Sequence, residues 1–100
     1  MTVGVFRFSI SGDVALDEVE MTLQLATFAA EGLFGSAQVR LDFGYHVDAD
    51  HRLILIDGST EVGATVAHIF TGLLLREFGE DSFAVERVHS HQNQPEEVAA

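Results

Sequence analysis

The sequence predicts a single α+β domain, and three observations carry that prediction. Four short segments alternate apolar and polar residues or run apolar throughout, while two longer ones repeat apolar residues every three to four positions. In chain order these segments read strand, helix, strand, strand, helix, strand. The two halves also resemble each other: "FRFSISGD" at 6–13 matches "RLILIDGS" at 52–59 in pattern, and "LFGSAQVRL" at 33–41 parallels "EFGEDSFAVERV" at 77–88.

The first strand is expected over residues 2–10, with Phe6, Phe8 and Ile10 on one face and Val3, Val5, Arg7 and Ser9 on the other. "SGD" at 11–13 breaks it. The first helix follows, because Leu16, Val19, Leu23, Ala26 and Ala30 recur at helical spacing. Asp13 or Asp17 suits its cap, Glu18 and Glu20 lie near the positive end of its dipole, and Gly32 or Gly35 suits its end. Alternation returns at Ala37, Val39, Leu41, Phe43, Tyr45 and Val47, with Gln38, Arg40, Asp42 and His46 facing the other way, so a second strand is expected from Ala37.

"DADH" at 48–51 makes a tight turn into the third strand, "RLILID" at 52–57, which is apolar on both faces as a central strand should be. "GSTE" then opens the second helix, whose buried stripe is Val62, Val66, Ile69, Phe70, Leu73, Leu74 and Phe78. Gly79 ends it, and "SFAVERVHS" supplies the fourth strand. Residues 1–90 thus form the domain, and "HQNQPEEVAA" at 91–100, which has no period, is a flexible C-terminal tail. A doubled unit with a tight turn between its halves closes most simply as a ferredoxin-like βαββαβ sandwich. Its four antiparallel strands are ordered 4-1-3-2, with two helices on one face.

Composition narrows the function. With 100 residues and 47% apolar content the chain can bury one modest core. No apolar run approaches the roughly 18–20 residues that cross a bilayer, and "MTVGVFRF" has no basic stretch ahead of an apolar one, so a cytoplasmic protein is expected. The formal charge of -11, from sixteen acids against five arginines, repels phosphate backbones and anionic membranes, which argues against nucleic acid and membrane partners. Absence of cysteine removes thiolate ligands and thiol nucleophiles.

Chemical motifs are sparse. His89 and His91, two apart on a strand, share a face at a spacing that zinc or nickel sites use, and the turn bearing His46, Asp48, Asp50 and His51 lies at the same end of the sheet. The two groups sit on opposite edge strands, however, three steps of about 4.8 Å apart, or roughly 14 Å, which exceeds one ion's ligand shell. Asp48, Ala49 and Asp50 therefore read as a solvated turn, and neither a metal nor any other cofactor is assigned. No serine has a glycine-flanked elbow, and "GSTEVG" at 58–63 lacks the lysine of a phosphate loop, so it reads as a helix cap. His68 falls on the polar stripe of the second helix as an ordinary exposed histidine.

The segment "SISGDVALDEV" at 9–19 resembles the strand-to-helix turn of amino-acid-sensing regulatory domains of the ACT type, but it lacks their proline-glycine pair and carries no residue over. The more informative feature is the sheet face turned away from the helices. There Val3, Val5, Leu53 and Leu55 form an apolar centre, rimmed by Arg7, Arg40, Asp42, His46, Glu86 and Asp57. The expected function is a small acidic non-enzymatic module that dimerises or binds a protein partner through this face. The alternative is a ligand-binding or enzymatic dimer with a polar cavity lined by Arg7, Arg40 and Asp42. On either reading Asp42 and Asp57 face each other across the hairpin and need a cation. Arg7 or Arg40 supplies it, so Arg7→Ala is expected to weaken the assembly or fold more than Arg52→Ala.

Overall fold

A computed structural model of the chain describes residues 4–88. Strand β1 (Val5–Ile10) leads into helices α1 (Leu16–Phe34) and α2 (Ser36–Asp42). The hairpin β2 (Tyr45–Asp48) and β3 (Leu53–Asp57) is followed by helix α3 (Glu61–Phe78), a 3-10 turn (Glu80–Ser82) and β4 (Phe83–Val88). The strands make one antiparallel sheet in the order β2-β3-β1-β4, with Phe8 opposite Ile54 and Val85, and Val47 opposite Ile54. The class is α+β, with a four-stranded antiparallel sheet and three helices. Val3, His89, His91 and the tail at 91–100 lie outside the described residues.

Helix α2 corrects the expected element order. Residues 37–43 were expected to be extended, yet Ser36–Asp42 is helical, and strand β2 begins only at Tyr45. Two physical causes account for the difference. Gly35 has φ 85° and ψ 152°, a conformation that only glycine adopts cheaply, and it turns the chain sharply at the end of α1. Val39 and Phe43 are four apart, which satisfies a helical period as well as a strand's, and Ala, Gln, Arg and Leu between Gly35 and Asp42 favour the helix. In α2 only Val39 is buried, while Leu41 is 84% exposed.

The remaining elements follow their side-chain periods. Phe8, Ile54 and Ile56 are fully buried beneath Val19, Leu23, Ala26 and Ala30 of α1 and Val62, Val66, Phe70 and Leu74 of α3. The Phe8 ring meets Phe70 edge-on at 4.8 Å. Helix α1 starts after Ala15 without a side-chain cap, instead of from Asp13 or Asp17, and stops at Gly35 rather than Gly32. Helix α3 is better built. Thr60 Oγ1 accepts from the Gly63 N–H at 2.9 Å and donates to the Asp42 carbonyl at 2.9 Å, so one hydroxyl caps α3 and ties it to α2. The first turn of α3 passes so close to β3 that a Cβ on Gly63 would lie 1.9 Å from the Asp57 carbonyl oxygen.

Candidate functional site: the open sheet face

The sheet buries one face under the helices, and among the described residues no element covers the other. Strand register fixes that second face row by row. Glu86, Arg7, Leu55 and His46 lie side by side across β4, β1, β3 and β2. The flanking rows are Ala84, Ser9, Leu53 and Asp48 on one side, and Val88, Val5 and Asp57 on the other. Val5, Leu53 and Leu55 are half-buried at its centre, while His46, Asp57 and Glu86 are exposed. The register of β3 is thereby settled, since Ile54 and Ile56 point into the core and Leu53 and Leu55 away from it.

Of the residues expected on this face, Val5, Arg7, Leu53, Leu55 and Asp57 are brought together. Arg40 and Asp42 are not. Both ride on α2, which packs against α1 and α3, so Arg40 and Asp42 do not join Arg7 on the sheet face. The like-charge pair expected between Asp42 and Asp57 is absent for the same reason. Asp57 instead accepts from the Ser59 N–H at 2.9 Å and turns the chain into α3. Arg7 finds its anion in Glu86, directly across from it on β4; the side chains are 43% and 55% exposed, so this pair is a surface one.

The β2–β3 turn behaves as a turn. Asp48 accepts from the His51 N–H at 3.3 Å and meets His51 Nδ1 at 2.9 Å. The side-chain hydrogen bond from His51 holds the Asp48 carboxyl below its ordinary value of 3.8. No group of three or more metal-ligating side chains is assembled among the described residues. At "GSTEVG" the Ser59 and Gly63 amides are taken by Asp57 and Thr60, as a cap requires.

Arg52, beside the turn and expected to matter less than Arg7, has a structural task. Its guanidinium donates to the carbonyls of Ser11, at 2.8 Å, and of Val14, and its Nε reaches the Ile10 carbonyl at 3.3 Å. It thus ties the β2–β3 turn to the loop between β1 and α1.

Two surfaces of the helix side went unread in the sequence. An open groove of about 450 Å³ runs between α3 and β4, floored by Phe6, Leu75 and Val85, with the Arg87 guanidinium 4.9 Å from the Phe6 ring centre. On the outer side of α1, Met21, Leu25, Phe28 and Leu33 are 67%, 52%, 68% and 69% exposed. A signal for the second was present, because Met21–Ala30 is ten consecutive residues with no charge, more apolar surface than one buried stripe uses. Among the described residues no helix is long and apolar enough to cross a membrane. No family model, curated protein or solved structure matches the chain.

Proposed function

We propose that the domain is a variant of the ferredoxin-like sandwich, with α2 inserted ahead of β2, and that it is a small acidic non-enzymatic module that pairs with a second copy of itself through the open sheet face. The observation that carries this reading is the central cluster of Val5, Leu53 and Leu55 on a face that no described helix covers, flanked by the Arg7–Glu86 pair. Charge favours a second copy as the occupant. A two-fold interface meets itself, so it needs both signs on one patch, and this face has Arg7 beside Glu86 and Asp57. Arg7 of one copy can then neutralise an acid of the other.

The face is small. Its outer strand axes are three steps of about 4.8 Å apart, and its length is about 20 Å for six residues at about 3.3 Å each. At roughly 300 Å² per copy between the strand axes it falls below the standard interface of about 800 Å² per partner, which makes the pairing weak and concentration-dependent. Dilution monitored by amide chemical shifts is the direct test. Shifts at Arg7, Leu53 and Leu55 should move together over a micromolar to millimolar series, with those of α1 unchanged. Shifts that move only on the helices, or none at all, would remove the sheet face as the pairing surface.

A further inference from the structure

We propose that the outer surface of the helix layer is a second docking site, a groove for a cationic amphipathic helix of a partner protein. Helices α1 and α3 run antiparallel, and a separate solvent-open hollow lies at each end of the furrow between them, with Phe28 on α1 outside both. Met21, Leu25 and Phe78 line one end, and Leu33 and Ile69 the other. Along α1, Met21, Leu25 and Phe28 follow at i, i+4 and i+7 and so share one line on the helix surface, whereas Leu33, twelve positions after Met21, is rotated about a third of a turn from that line and lies beside Ile69 of α3. These four are among the most exposed large apolar residues described, and they lie on the side of the domain away from the sheet face.

The chemistry of the occupant follows from length and charge. From Met21 to Leu33 is twelve residues, about 18 Å at 1.5 Å per residue, so three turns of a partner helix span the anchors. Acids flank the furrow at both ends, Glu18 and Glu77 at one and Glu61 at the other. Helix α1 also carries Asp17, Glu20 and Glu31 and no basic residue. A second copy docked here would bring these acids together, and an anionic lipid surface would meet the same repulsion. An occupant with an apolar stripe between lysines or arginines satisfies both the groove and its rim.

The probe is a fluorescein-labelled Leu/Lys peptide of about 18 residues, long enough for the groove and ordered so that its leucines form one helical face. It is compared with a scramble of the same composition and with a Leu/Glu counterpart. The amphipathic Leu/Lys peptide should bind at least tenfold more tightly than the scramble, and the Leu/Glu peptide should not bind. The double variant Leu25→Glu/Phe28→Glu, at exposed positions that leave the core intact, should lose at least tenfold in affinity. Attraction between a polycation and an acidic protein predicts the opposite, because that variant is more negative. Equal binding of the scramble, or undiminished binding by a double variant whose circular dichroism is native, would overturn the proposal. Leu55→Glu, on the sheet face, should leave peptide binding unchanged while abolishing self-association, so this site and the pairing face fail separately; loss of peptide binding in Leu55→Glu would also overturn it.

Discussion

Replacing Arg52 probes the fold where long-range geometry outweighs local pattern. Its backbone sits at φ 55°, in the left-handed region, its carbonyl accepts from the Ile10 N–H at 2.9 Å, and its side chain serves the carbonyls of Ser11 and Val14. Hydrogen bonds from a charged donor contribute about 1.5–3 kcal/mol each, but these carbonyls border solvent and water takes over part of that role once the guanidinium is gone. Arg52→Ala should therefore cost about 2–3 kcal/mol. Arg52→Gly loses the same bonds but relieves the left-handed backbone, worth about 1 kcal/mol, so it should be less damaging than alanine by that amount. Urea unfolding followed by circular dichroism resolves the series, because with a slope of about 1 kcal/mol/M the alanine midpoint falls by about 2–3 M. Exposed Arg76→Ala serves as the reference, with a change within about 0.5 kcal/mol. The reasoning fails if Arg52→Ala matches Arg76→Ala, or if glycine is no better than alanine. Arg7→Ala, which within one chain breaks only a surface pair, should cost the fold under about 1 kcal/mol, reversing for the fold the order expected from sequence.

Three further outcomes can be measured on the same protein. Thr60→Val removes the cap of α3 and its tie to α2, and should lower stability by about 1–2 kcal/mol in denaturant titration. Gly63→Ala drives a Cβ into the Asp57 carbonyl and should cost more than about 3 kcal/mol or prevent folding, whereas Gly72→Ala, with open space around it, should stabilise α3 by up to about 1 kcal/mol. The Asp48 carboxyl titrates low because His51 bonds its charged form, so its stabilising contribution is present above the ordinary value of 3.8 and is lost as pH falls through the lower folded value. Carboxyl NMR titration should show His51→Ala returning Asp48 toward 3.8.

Strands β1 and β3 were legible because both faces of a central strand are constrained. Which residues of β3 face the core was left open, because Ile54 and Ile56 are as apolar as Leu53 and Leu55; pairing with β1, Phe8 opposite Ile54 and Arg7 opposite Leu55, decides it. The start of β2 was not, since Val39 and Phe43 fit two periods and the decision fell to the sharp turn at Gly35. That one misplacement removed Arg40 and Asp42 from the candidate face. The task of Arg52 was hidden for a different reason. It depends on a loop some forty positions earlier in the chain, at Ile10 to Val14, coming alongside the β2–β3 turn, and no local pattern encodes that contact. The exposed stripe of α1 was legible in principle, but periodicity identifies the face that is buried and passes over apolar residues left on the others.

Sedimentation equilibrium of the wild type beside Leu55→Glu tests the pairing face most directly. Over a micromolar to millimolar series the wild-type average mass should rise from 10.9 kDa toward twice that value, with Leu55→Glu remaining at 10.9 kDa and the helix-face variant Leu25→Glu/Phe28→Glu behaving as wild type. A wild type that stays monomeric throughout, or a dimer that survives Leu55→Glu, would contradict the assignment of the open sheet face.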